Sequence, residues 1–243
     1  MPEHEISKQA KAVYTLWTNP HLKWKEKVVE ITIEIAIIVF AITLSLMVER
    51  WRENVHERGI EKDFLIDLKT DLSSDLMQES DDSTSYALMR AGWNYFYYCG
   101  INEQLAEKDS LNKYGYKLFN TTTFISNNSR FEGMKSSGQL NVIENKKLLN
   151  LILDLYQYKI AGLNLTNDVI TFTKQHALIP FVQENLIQKK DGSNNLAQLF
   201  FLPRMQNYLS SGGAAVEAVE RYHEVMEQSR KIIAMINQQY PEK

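Results

Sequence analysis

The chain has 243 residues, a formal net charge of −3 and a pI near 6.0, and its Lys and Arg residues are spread along it rather than gathered in a stripe, which argues against a nucleic-acid partner. Five prolines and ten glycines supply few of the tight turns a β-sandwich needs, so an all-α body is the expected class. The single cysteine, Cys99, excludes an internal disulfide framework and a cysteine-based zinc site.

In the first segment, residues 1–20, Ile6, Ala10, Val13, Tyr14 and Trp17 recur at helical spacing. They predict a short amphipathic helix suited to a membrane surface or to a partner subunit. Thr18-Asn19-Pro20 ends it, and Pro20 suits the first turn of the next helix.

Residues 21–51 read as a transmembrane anchor. Residues 35–48 carry no charge, and with residues 28–34 they make an apolar helix of about twenty residues, enough for a hydrocarbon core of roughly 30 Å. Trp24 and Trp51 stand 27 residues apart, about 40 Å along a helix, the separation of the two interfacial aromatic belts. The charged stretch before the apolar run is long, and Glu49, Arg50, Trp51 and Arg52 follow it where a cleavage site would need small residues. The span is therefore expected to stay uncleaved. A buried helix of a soluble protein is the alternative, but Glu30 and Glu34 interrupt the apolar run it would need.

Residues 52–243 are expected to form a stalk and a helical soluble domain. Phe64, Leu65, Leu68, Leu72 and Leu76 recur at three- and four-residue steps, so the anchor helix is predicted to continue to about residue 78. Glu79-Ser80-Asp81-Asp82-Ser83 reads as a turn and the next N-cap. A second helix is predicted over 85–105, with Tyr86, Trp93, Tyr95, Phe96, Tyr97 and Tyr98 as core against the stalk, and a short one over 110–119. Residues 120–138 form the one long irregular stretch, in which Gly138 is expected to take positive φ. Residues 145–185 read as helical, with Leu148, Leu149, Ile152, Leu155, Tyr156 and Ile160 on one face. A loop over 190–195, helical pieces over 196–202 and 203–210, a break at Gly212-Gly213 and a last helix over 214–239 complete the chain.

Two blocks carry a resemblance. The first is Glu34-Ile35, an apolar run and Trp51-x-Glu53-Asn54; the second is Lys135-Ser136-Ser137-Gly138 followed by Leu140, Ile143-x-Asn145, Leu148 and Tyr156. Together they resemble a family of uncharacterised, N-terminally anchored bacterial membrane proteins of the Bacteroidetes type, whose domain has no known function. That family usually has Gly and Ala four apart in mid-span; here the pair is Ala41 and Ser45, a bulkier version of a small-residue face. The resemblance implies an architecture and brings no activity with it.

No catalytic, cofactor or metal motif stands out. Glu53-x-x-His56 and Glu220-x-x-His223 have the spacing of a di-iron bundle's ligands, but both lie in thoroughly charged stretches that read as solvated faces. Gly-x-Ser-x-Gly is missing around Ser136 and Ser137, and His223-Glu224 is not followed by a second histidine. Within the span, Glu34, Ala41 and Ser45 are seven and four apart and share a helix face, a polar and small-residue pattern that suits packing against another span. Glu34 reads otherwise as an interfacial carboxylate satisfied by water or by Lys23 and Lys27. A long polar loop carries function more often than a helix does, so the candidate recognition loop is 130–145, with Arg130, Ser136, Ser137, Gly138 and Asn145.

The expected protein is thus a membrane-anchored scaffold or accessory subunit of an envelope assembly. Its expected partners are the lipid bilayer and further copies or other subunits of a larger membrane complex. An oligomeric effector or channel with Glu34 facing the path is the first alternative, and a bundle metalloenzyme the second. Lys23, Lys25 and Lys27 before the span nearly balance Arg50, Arg52, Arg58 and Lys62 after it, so basic residues alone do not orient it. A tail of about thirty residues ahead of a first span behaves as a signal anchor. This favours a single pass of a bacterial inner membrane with a cytoplasmic N-terminus and a periplasmic C-terminal domain.

Overall fold

The computed structural model describes residues 24–210 and 213–241, together with Lys11, Tyr14 and Thr15. The described residues hold no strand beyond one isolated bridge between Gln188 and Asn194, and 83% of them are helical. It is all-α. The chain divides into two units, Met1–Ile60 and Glu61–Lys243. The predicted N-terminal helix lies outside the described residues except for Lys11, Tyr14 and Thr15, which are helical, with Thr15 Oγ1 donating to Lys11 O at 2.6 Å.

Helix α1 runs from Trp24 to Ile101 without interruption. Its first part belongs to the first unit and contains the one segment among the described residues long and apolar enough to cross a membrane. Among the described residues, none covers that apolar window. Thr32 and Thr43 return their hydroxyls to Val28 O and Val39 O, each at 2.7 Å, which satisfies the only polar group each would otherwise present to lipid.

The second unit opens with the remainder of α1. Leu65, Leu68, Leu72, Tyr86, Met89, Trp93 and Phe96 are buried along it, following the three- and four-residue steps of one helix face. The predicted turn at residues 79–83 does not form. No Gly or Pro falls there to break the helix. Thr84 Oγ1 donates to Ser80 O at 2.9 Å and Asp82 takes a hydrogen bond from Tyr222, while Glu79 and Ser83 are buried. Tertiary packing overrides the local preference. The two helices predicted on either side are one helix, and of its aromatic residues Tyr97 and Tyr98 face solvent rather than the core.

Beyond α1 come α2 (Lys108–Tyr114), a 3₁₀ turn (Tyr116–Leu118) and α3 (Ser129–Ser136). Residues 129–136 were expected as loop. They fold as a helix because Phe131 and Met134, three apart, bury one face. A 3₁₀ turn (Gln139–Val142) leads to a long helical run: α4 (Lys146–Asp154), a π turn (Leu155–Lys159), α5 (Ile160–Thr173), a second π turn (Lys174–Leu178) and α6 (Ile179–Asn185). Then follow α7 (Leu196–Leu199), α8 (Pro203–Ser210) and α9 (Gly213–Gln239).

Helix α9 packs along α4 and α5. Its buried residues Ala218, Tyr222, Val225, Ile232 and Ile236 keep a single helical stripe, and Gln228 Nε2 donates to Leu151 O and Asp154 Oδ2, each at 2.8 Å. The Arg221 side chain of α9 reaches over Gly162 of α5, where a Cβ would stand 2.7 Å from its guanidinium. At the other side of the core the rings of Phe96 and Phe200 stack with centroids 4.0 Å apart. Glu61, fully buried, accepts from the backbone N–H of Glu144 at 3.0 Å and from Gln239 Nε2 at 3.3 Å, so it ties α1 to both the start of α4 and the end of α9.

Candidate functional site

The recognition loop expected at residues 130–145 becomes a helix, a turn and a cap. Arg130 lies on α3 and turns back onto α1, where its Nε pairs with Asp67 Oδ2 at 3.3 Å and its terminal nitrogen with Asp71 Oδ1. Ser136 Oγ donates to Glu132 O within its own helix. Ser137 is the C-cap, its Oγ 3.1 Å from Met134 O and 3.2 Å from Gln139 Oε1. Gly138 takes φ +71°, the left-handed turn that ends the helix. Asn145 caps α4, its Oδ1 accepting from Leu148 N at 3.1 Å. These groups are thus engaged in local structure, where Gly138 ends α3 and Asn145 caps α4.

In the first unit Glu34, Ala41 and Ser45 lie on α1, with Ala41 and Ser45 exposed, and Trp24 and Trp51 are exposed at either side of the apolar segment. Glu53 and His56 belong to this unit, and Glu220 and His223 to the other. Among the described residues no group of three or more His, Cys, Asp or Glu side chains is placed to hold a metal ion.

What sequence reasoning missed is a row of carboxylates on α1 in the second unit. Asp67, Asp71, Asp75 and Glu79 follow one another at four-residue steps and so share one helix face. Exposure falls along the row: 56% and 13% for the Asp67 and Asp71 side chains, then 2% and 1% for Asp75 and Glu79. Arg130 neutralises the outer pair. The inner pair has no such cation in contact. Both oxygens of Asp75 accept from the backbone N–H of Asn127, at 3.1 and 3.2 Å, and Oδ1 also accepts from Asn127 Nδ2 at 2.6 Å. Burial nonetheless holds the Asp75 carboxyl above its ordinary range. Glu79 Oε2 is buried with no hydrogen-bond partner. Burial, then the neighbouring charge of Asp75, pushes its pKa up to about 8, with Arg230 opposing. Glu79 is therefore mainly protonated at neutral pH. The signal for this row was in the sequence as a strict four-residue repeat of acids, but the same repeat marks a solvated face far more often.

The polar interior continues past the row. Tyr222 donates to Asp82 Oδ2 at 3.3 Å and accepts from Asn167 Nδ2 at 3.1 Å. Tyr156, in the first π turn, stacks on Phe131 with centroids 4.5 Å apart, and its hydroxyl is buried without a partner. Its pKa is raised by burial and then by the charges of Asp75, Asp71 and Glu79. In the second π turn Lys174 is buried, donates to Asn120 O and has its pKa lowered to about 8 by desolvation. A π turn adds a residue to the helical circuit and so re-aims the side chains it holds.

The outward face of α5 differs. Leu165, Val169 and Phe172, at steps of four and three residues, are 66%, 51% and 63% exposed, opposite the buried Leu163, Thr166, Asn167 and Ile170. The His176 ring stacks on Phe172 with centroids 4.1 Å apart and extends the stripe by one turn. A row of large apolar side chains left in water on a folded helix is the common mark of a protein-contact face. Compared with family models, with curated proteins and with solved structures, the chain matches none.

Proposed function

We propose that this protein is a membrane-anchored interaction protein, serving as a scaffold or accessory subunit of an envelope assembly. The observation that carries the reading is the exposed stripe of Leu165, Val169 and Phe172 on a helix whose other face is well packed. Burying such a stripe against another protein chain gains about 25 cal/mol for each Å² of apolar surface removed from water. The apolar segment of α1 supports the anchoring half of the reading, since no described residue covers it. In the proposed assembly Glu34, Ala41 and Ser45 form the contact face of the span, and the protein is a homo-oligomer or one subunit of a larger complex. The resemblance of the two sequence blocks to the anchored bacterial family supports an inner-membrane location, with the N-terminus cytoplasmic and the C-terminal domain periplasmic.

The test is purification of the full chain at native expression in a mild detergent, followed by mass spectrometry. The expected result is a stoichiometric partner or a defined oligomer that is lost with Leu165→Ser and Phe172→Ser while helix content and melting temperature persist. A monomer with no co-purifying chain overturns the reading. For sidedness, a reporter fused after Lys243 should be active only in its periplasmic form.

A further inference from the structure

Between the first 3₁₀ turn and α3 the chain lies on α1 as a strap, residues 120–128, with no regular secondary structure and no charged side chain. Phe124 is the one buried residue in it, with its ring edge-on to Tyr222 and centroids 6.4 Å apart. Few bonds hold it down. Lys174 donates to Asn120 O at one end, Gln78 Nε2 to Thr123 O at 3.2 Å in the middle, and Asn127 to Asp75 at the other end. Its own backbone closes a small turn, from Asn128 N–H to Ser126 O at 2.9 Å.

Thr122 stands beside the phenol of Tyr86, Thr123 meets Gln78 and Asn127 meets Asp75, so the strap runs back along α1. Asp75, Glu79, Asp82 and Tyr86 follow at steps of four, three and four residues and share the face it covers. Glu79 therefore lies between two of the strap's contacts, 1% exposed and with Oε2 unpartnered. The titratable groups facing it are Asp75 and Asp82 on α1, Arg230 on α9 and the phenol of Tyr156 in the first π turn. Of these only Arg230 favours a negative charge at Glu79, and burial with Asp75 outweighs it. An ionised Glu79 would need water. Its other covers are helical and held by their own backbone bonds, so the strap is the least costly one to lift.

We propose that the strap is a proton-controlled latch: while Glu79 holds its proton the strap stays closed on α1, and loss of that proton lifts it, which hydrates the carboxylate and uncovers the seat of Phe124 against Tyr222. Opening breaks the Asn127 contact and leaves the helices in place. Glu79 ionises at about 8 under the strap and at its ordinary 4.5 once in water. The opening constant therefore rises by up to about tenfold per pH unit between these values and levels off above 8. Asp75 is shifted in the same direction and adds in the same sense. Lys174, whose pKa is about 8, stays mainly protonated over this window. The latch is independent of the proposed protein contact on α5.

The experiment is amide hydrogen exchange of the full chain in an uncharged detergent from pH 5 to 8, corrected for the intrinsic pH dependence of exchange. Protection of the Asn127 amide is expected to fall with pH, by close to tenfold per unit near neutrality. Low urea should leave that exchange unchanged, as a local opening requires, while the Ile232 amide of α9 exchanges more slowly and accelerates with urea. Glu79→Gln should abolish the pH slope, and Asn127→Ala should raise opening at every pH while keeping it. Asn127 protection that does not change with pH overturns the proposal. So does Asn127 exchange that follows urea in step with Ile232, since only global unfolding would then expose the strap, and so does a slope that persists in Glu79→Gln. The wild-type responses to pH and urea decide the matter even if Glu79→Gln fails to fold.

Discussion

Asn127 closes over Asp75 with both of its donors: the side-chain amide at 2.6 Å and the backbone N–H at 3.1 and 3.2 Å. These two residues are 52 positions apart, and the contact fixes the irregular segment before α3 against the middle of α1. A buried carboxylate without a cation in contact depends on such donors, because hydrogen bonds to a charged group are worth about 1.5–3 kcal/mol each. Asn127→Ala should therefore lower the unfolding free energy by about 2 kcal/mol, read as a shift of the urea midpoint at constant slope. An unchanged midpoint would mean that Asp75 finds water instead.

Stability should depend on pH with two opposite signs. Glu79 ionises at about 8 in the folded chain, against an ordinary value of 4.5. The folded state therefore binds the proton more tightly between those values, and its full stability is present below 4.5 and declines as pH rises towards 8. Asp75 and Asp82 are shifted in the same direction. Lys174 is the reverse case: its folded pKa is about 8 against 10.5, so its contribution is full above 10.5 and is lost as pH falls through 8. Melting temperatures measured from pH 5 to 10 should fall and then recover. Glu79→Gln should flatten the first limb and Lys174→Met the second; a profile that neither variant alters refutes the assignment.

Gly138 and Asn145 act through the backbone. A Cβ at Gly138 would meet nothing within 4 Å, so Gly138→Ala tests the positive φ alone. The expected cost is about 1–2 kcal/mol. Asn145→Ala removes the cap of α4 and should cost about 0.5–2 kcal/mol. A double variant that departs from the sum by more than about 0.5 kcal/mol would show that the two sites are coupled through the turn between them.

In the span, Ala41→Ile with Ser45→Leu fills the small-residue face with larger apolar side chains that lipid accepts readily. Membrane insertion should be unchanged while cross-linking between chains falls, each lost helix contact being worth on the order of 0.6–2 kcal/mol. Cross-linking at the wild-type level in the double variant would rule out that face.

Periodicity along the sequence was enough for the elements that depend on one chain segment at a time. The uncharged run from residue 35 to 48, the stripe through Phe64, Leu65, Leu68 and Leu72, and the helical stretch over 145–185 all follow from where apolar residues fall along a helix. Gly138 was legible for a similar reason, since a left-handed turn is a local need. What the tertiary structure alone decided is the fate of residues that are polar in composition. Glu79-Ser80-Asp81-Asp82-Ser83 has the makings of a turn, yet Tyr222 and the packing around Glu79 keep it helical. Residues 129–136 have the composition of a loop, yet the burial of Phe131 and the pairing of Arg130 with Asp67 and Asp71 fold them as a helix. The acidic row looks like a solvated face until Asn127 is seen to cover it. A polar side chain carries no record in the sequence of the donor that will meet it, and that donor, tens of residues away, decides whether it is surface or interior.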